Sequence, residues 1–473
     1  MHDLAHLGLS ERIGAILNRH AAVGLAAGVV RGGELESFAA HGVADIAEQR
    51  PISPDAVFRI ASITKTFTAV ALMQLCERGL VDPDAPAHDY LRSYRLTAAG
   101  FRPPTIRQLL THTSGLGETL GPAQLLRPDF GESVDPGRRM PTLSEYYGGE
   151  LRVRAEPGTR WIYTDHGFAT LGQIIADVTG TDLPNYLRDN IFRPLGMTST
   201  DLGIWHTPRS RLATGYTLRA RGPRAVVHRE MVTAGASAAY STMADMARYA
   251  AALLGGGANT HGTVLRPDTV ATMFAPQYRP EVRLPGMGLA FFRQDLGGHA
   301  VVEHQDILPG FDSQLWLALD DGIGVIVFAT GAHRGMLWLP AETSHLLGGL
   351  LGVPEPAINP AVPHRPAVWP AICGRYRMAG SLSDIRARLT FGAGVDVRIR
   401  RGIPILRILT PIPALLHGIP LHPDDEKDPL AFRIDLSEFG LGTACILFDT
   451  AAPSSATTLR NDLLPMTLHR TRS

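Results

Sequence analysis

From Phe67 to Cys76 only Thr68 and Gln74 interrupt an apolar run. That pattern predicts a helix apolar nearly all round, buried in a large core rather than lying half-exposed on a surface. It begins near Ser62 and stops at Gly79, a natural C-terminal breaker. Before it, Leu4, Leu7, Leu9, Ile13, Ile16 and Leu17 recur at helical spacing, and Ala22–Val30 and Glu34–Ala40 read as strands joined by an Arg31-Gly32-Gly33 turn. After it, Thr105 is placed to cap a short helix over Ile106–Thr111. Residues 117–150 show no sustained period and read as a long loop with some helix; such a loop in a compact domain is usually functional. Phe168, Leu171, Ile174, Ile175 and Val178 mark a helix ending at Gly180, followed by one over Leu183–Ile191 and one from Ser241-Thr242 to Leu254. Strands return at Gly288–Arg293, His299–Val302, Ser313–Leu319 and Gly324–Ala329. A helix-rich middle flanked by sheet from both ends is an α/β plan.

The pattern then changes. Residues 352–370 hold six prolines, a stiff linker composition. Beyond them short alternating runs recur at Ala387–Thr390, Val395–Ile399, Ile405–Leu409, Phe432–Ile434, Ala444–Phe448 and Met466–His469, the cue for a small β-sandwich or barrel. The expected organisation is a catalytic domain over 1–351, a linker over 352–370 and a β domain over 371–473.

Composition excludes several classes. The 473 residues carry 45 basic and 45 acidic side chains without a basic stripe, so neither nucleic acid nor an anionic membrane is an expected partner. Cys76, Cys373 and Cys445 are far apart and form no Cys-x-x-Cys pair, which points to free thiols. The N-terminus lacks the pattern of a secretory signal and no apolar run is long enough to span a membrane, so a soluble, cytoplasmic protein is expected. The eighteen histidines are scattered and read mostly as surface or loop residues. No Walker loop, dinucleotide fingerprint, His-Glu-x-x-His pair or Gly-x-Ser-x-Gly elbow occurs, and no cofactor or metal is expected.

The chemistry is expected where Ser62-Ile63-Thr64-Lys65 opens the buried helix. Residues three apart share a helix face, so the Ser62 hydroxyl and the Lys65 amine can meet. A serine needs a neighbouring base to become a nucleophile, and an uncharged lysine amine is one. A Ser-x-x-Lys match alone is weak, with about one expected by chance in a chain of this length. Here, however, all but two of the 45 basic residues are arginine, the exceptions being Lys65 and Lys427. Arginine cannot give up its proton where a buried lysine can.

Two more elements complete an ordered set: Tyr163-Thr164-Asp165, and His304-Gln305-Asp306 followed by Leu308-Pro309-Gly310-Phe311. With the phrases Leu110-Thr111-His112-Thr113-Ser114-Gly115-Leu116, Glu156-Pro157-Gly158-Thr159 and Ile191-Phe192-Arg193-Pro194-Leu195-Gly196-Met197, residues 10–350 resemble the serine β-lactamase and penicillin-binding-protein superfamily, in its class C-like, esterase and D-aminopeptidase branch. The resemblance implies an antiparallel sheet flanked by helices with a large helical subdomain, plus a C-terminal lipocalin-like β-barrel that restricts access to the cleft. It implies that Ser62 is acylated, that Lys65 and Tyr163 share the proton traffic, and that the backbone N–H groups of Ser62 and Ile307 form an oxyanion hole. His304 would orient Tyr163 or bind a substrate carboxylate.

Two positions depart from the family. Asp165 stands where the family has asparagine; a carboxylate beside Lys65 favours the ammonium and shifts the base role to Tyr163, unless it faces a cationic substrate group instead. Asp306 replaces a glycine that lets substrate backbone approach, which narrows the cleft or adds charge and counts against β-lactam hydrolysis. The expected function is a serine hydrolase cleaving an ester or amide of a small-molecule or peptide acyl substrate. The alternatives are a penicillin-binding-protein-type thioesterase, cyclase or acyltransferase, with a carrier-bound substrate if a cyclase, and a non-catalytic sensor that keeps the fold.

Overall fold

The computed structural model describes residues 8–121, 124, 127–204, 207–378, 394–410, 413–452 and 455–471. Its centre is a seven-stranded antiparallel sheet. The strand order is Phe292–Leu296, His299–Leu308, Phe311–Ala318, Ile323–Thr330, Gly24–Arg31, Glu34–Asp45 and Arg50–Pro51. The two chain ends meet where Gly24–Arg31 pairs with Ile323–Thr330, in a register running from Gly24 opposite Thr330 to Arg31 opposite Ile323. The expected mixed fold with sheet contributed by both ends is therefore what the molecule has.

Strand alternation sends side chains to two cores. Leu25, Ala27, Val29, Val325 and Val327 pack with Ile13, Ile16, Trp338, Leu339 and Leu347 of the helices Leu9–Arg19 and Gly335–Leu351. On the other face Ala26, Val30, Ile326 and Phe328 join a larger core built around the helices Thr64–Glu77, Asp165–Thr179 and Met243–Leu254. The first of these three is buried from Thr64 to Leu75, as its apolar surface requires. Its polar side chains are satisfied inside the protein: Thr68 donates to Gly235 O at 2.7 Å, and Gln74 to Asn190 O and Val264 O at 2.9 Å each.

The C-terminal part is a nine-stranded antiparallel sheet with its own core, in which Tyr376, Phe432 and Phe448 are central. Its edge strands, Ile419–Pro420 and His422–Pro423, are separated by Leu421 alone, so the sheet curls almost into a closed barrel. The expected strand at Ala387–Thr390 lies outside the described residues. The three cysteines are free thiols. Among the described residues no helix is long and apolar enough to cross a membrane.

Candidate active site

Ser62 is the middle residue of a 3₁₀ turn, Ala61–Ile63, that precedes the Thr64–Glu77 helix. Ala61 enters the turn in the left-handed region, φ +48°, a conformation that costs a non-glycine residue about 1–3 kcal/mol and persists only where its surroundings enforce it. They do so here. Ile60 N–H donates to Ala239 O at 3.0 Å, Ser313 Oγ donates to Ile60 O at 2.9 Å, and Thr64 Oγ1 accepts from Ala239 N at 3.0 Å. The Ser62 turn is thus pinned to the central sheet on one side and to the 234–241 segment on the other.

Lys65 is fully buried, and its Nζ lies 2.5 Å from Ser62 Oγ, 2.6 Å from Asp165 Oδ1 and 3.2 Å from Ala236 O. Three acceptors thus face an amine that has three N–H donors when it is protonated. The same Nζ stands 4.7 Å from the centroid of the Tyr163 ring. Asp165 is the first residue of the helix Asp165–Thr179, where the positive end of the helix dipole favours a carboxylate. Thr164 caps that helix, its Oγ1 accepting His166 N–H at 3.3 Å and donating to Gly117 O at 2.9 Å. Ser62, Lys65, Tyr163 and Asp165 come together from two helix starts about a hundred residues apart in sequence.

His304 sits on the strand His299–Leu308, which passes beside the Ser62 turn. It is fully buried and its Nδ1 is 2.6 Å from Ala290 O, which places the proton on Nδ1 and leaves Nε2 as an acceptor. Burial first, and the charge of Lys65 second, push its pKa down to about 3, so the ring is neutral. The backbone of Asp306 and Ile307 continues this strand, opposite Ser313 and Asp312; their side chains lie outside the described residues.

One residue in this cluster was quoted above only as part of a connecting phrase. His112 is buried, its ring 4.4 Å from that of Tyr163, and its Nδ1 accepts Thr164 N–H at 3.2 Å. His166, next to Asp165, is buried as well, so the expectation of surface histidines fails for the three that surround the site.

With this geometry in view, the family model described as Beta-lactamase matches residues 9–348. The chain belongs to the beta-lactamase family. Within it, this chain is 27% identical to penicillin-binding protein 4 of Amycolatopsis lactamdurans, over 79% of this chain and 98% of that protein. It is 34% identical to esterase EstB of Burkholderia gladioli, over 44% of this chain and 55% of that one. Further relatives are a D-aminopeptidase of Brucella canis, 25% identical over 82% of this chain and 72% of its own, and a monacolin J acid methylbutanoyltransferase of Aspergillus terreus, 28% identical over 49% and 60%. Among solved structures, an octameric penicillin-binding protein homologue from Pyrococcus abyssi superposes with a TM-score of 0.63 at 21% identity, covering 98% of this chain and all of that one. That coverage includes the C-terminal barrel. The family is one of serine hydrolases and acyltransferases with ester, amide and peptide chemistry among its members.

Proposed function

We propose that this protein is a serine hydrolase that cleaves an ester or amide through an acyl-Ser62 intermediate, with Tyr163 rather than Lys65 as the general base. The observation that carries the reading is the set of three acceptors around Lys65 Nζ, Ser62 Oγ, Asp165 Oδ1 and Ala236 O: an ammonium donating to them has no lone pair with which to take the serine proton. Lys65 instead stabilises the alkoxide as it forms, and Tyr163, as the phenolate that the adjacent ammonium favours, takes the serine proton to become the phenol and later returns it to the leaving group. The backbone N–H groups of Ser62 and Ile307 hold the oxyanion, a contact whose loss typically costs about 2.7–4 kcal/mol of barrier. Asp165 Oδ1 is occupied by Lys65, which favours its role as counter-ion over that of receptor for a substrate amine. His304, neutral and enclosed, is assigned to the wall that orients Tyr163 rather than to a substrate carboxylate.

Incubation with p-nitrophenyl esters, D-amino-acid amides, a β-lactam and a peptidyl thioester, followed by intact-mass analysis, tests this. An acyl adduct on the wild type that is absent from Ser62→Ala is the expected result. A product released equally fast by the Ser62→Ala protein would overturn it. The acyltransferase relative favours a second reading in which an alcohol or amine resolves the acyl-enzyme. A transfer product appearing at the expense of free acid when such an acceptor is added would identify it.

A further inference from the structure

His112 holds the Tyr163 segment by its backbone and its ring at once. It lies in the loop after the helix Ile106–Leu110, in the left-handed region at φ +56°. Histidine tolerates that conformation better than most residues but is not neutral to it, so the surroundings enforce it. Its carbonyl accepts Ile162 N–H at 2.8 Å and its Nδ1 accepts Thr164 N–H at 3.2 Å, so Tyr163 is bracketed on both sides by bonds to one residue. The Tyr163 ring lies 4.4 Å from the imidazole, tilted by 31°, and Phe168 and Trp161 stand 5.1 and 6.1 Å from it. With Nδ1 serving as an acceptor, the ring proton is on Nε2, which is buried and donates to no group among the described residues. The charged and titratable groups facing the imidazole are Tyr163, Lys65, Asp165 and His304; burial first, then the positive Lys65, hold it neutral.

We propose that His112 is a positioning residue for acyl transfer. Its imidazole fixes the Tyr163 phenol against the Ser62–Lys65 pair, a task distinct from its backbone clamp. The neutral ring suits the place, because an imidazolium there would repel the ammonium that touches the same phenol. The inference rests on the acyl-Ser62 reading above.

The two tasks can be separated. His112→Asn keeps the left-handed backbone and puts an amide oxygen where Nδ1 was, but removes the half of the ring that meets Tyr163. Single-turnover acylation by a p-nitrophenyl ester is expected to slow about tenfold to a hundredfold, as for a misplaced reacting group, with KM changed little and the melting temperature kept. In a Tyr163→Phe background the same substitution should add nothing further, because its effect passes through the phenol. His112→Gln serves in both backgrounds if the asparagine protein does not fold. Acylation at the wild-type rate, or slowing of equal size with and without the phenol, overturns the proposal. Wild-type protein that forms no adduct overturns the acyl-enzyme reading instead, so the two failures are distinguishable.

Discussion

At the scale of single residues, the spacing of Ser62 and Lys65 and the scarcity of lysine located the centre of the site, and the two side chains meet at 2.5 Å. Asp165 was legible as a departure, and its physical consequence is the 2.6 Å ion pair. Replacing it by Asn removes the counter-charge from a fully buried amine, which then favours its neutral form. Lys65 becomes available as a base, and the acid limb of the acylation profile is expected to move down by about one pH unit or more. A limb that stays in place, or moves up, in the Asp165→Asn protein would show that the carboxylate does not set the charge of Lys65. His112 was hidden because its importance lies in a backbone angle and a ring contact, neither of which has a sequence period. Its position at the end of a capped helix, in a phrase shared with the family, is the signal that could have drawn attention to it.

At the scale of elements, segments with a plain period were readable and those whose period is broken by glycine, proline or buried polar residues were not. The first hairpin, the helix Thr64–Glu77 and the helix ending at Gly180 fall within a few residues of expectation. The strand expected over Gly288–Arg293 forms instead at Phe292–Leu296. The chain turns left-handed at Ala290, φ +66°, so that Ala290 N–H reaches Leu110 O at 3.0 Å and Ala290 O receives His304. An apolar stretch that reads as strand has been bent to serve the site. Conversely, the strand at His299 runs to Leu308, beyond the expected Val302, because buried polar residues conceal its alternation. The helix Gly335–Leu351 escaped sequence reading because Pro340, Gly348 and Gly349 look like breakers, although its residues Trp338, Leu339 and Leu347 fill a core. The helix Asp165–Thr179 meets the short helix Ala234–Ser237 through two glycines: a Cβ on Gly235 would stand 2.6 Å from Phe168 O, and the Gly172 Cα already lies close by. This approach sets Ala236 O against Lys65. Gly235→Ala must therefore push the segment away, at a cost of about 1–3 kcal/mol in stability. The acylation rate should fall as Lys65 loses an acceptor. Denaturant midpoints and single-turnover rates check both effects, and a variant unchanged in either would mean the backbone yields without moving Ala236.

At the scale of the whole molecule, the C-terminal barrel reaches the wall of the site. Leu464 and Met466 pack on the cluster of Trp161, Met287 and Phe292 to which Tyr163 also belongs, and Leu284 of the N-terminal part packs with Ala431 and Leu447 of the barrel. Charges frame this apolar contact. Arg283 pairs with Glu281 at 2.8 Å and with Asp428 at 2.6 Å, while Arg460 stands 3.5 Å from Glu281. Glu281 is 9% exposed, and its bond to Arg283 lowers its pKa from 4.5 to about 2. A carboxyl group depressed on folding contributes stability that is complete above its unfolded value and is lost as the pH falls through its folded value. The stability that Glu281 lends the junction is therefore complete above about pH 4.5 and lost between there and about pH 2. Glu281→Gln should cost about 1–3 kcal/mol at neutral pH, since it leaves two guanidinium groups without their shared partner. That deficit should shrink as the pH is lowered and the wild-type carboxyl becomes protonated. Melting curves of the two proteins from pH 7 to pH 2 measure it. A gap that stays constant across the range would place the stabilisation in packing rather than charge. Because the junction adjoins the Tyr163 wall, the neutral-pH variant should also show a raised KM with the acylation step less affected, the mark of a cleft wall that has loosened while Ser62 and Lys65 remain in place.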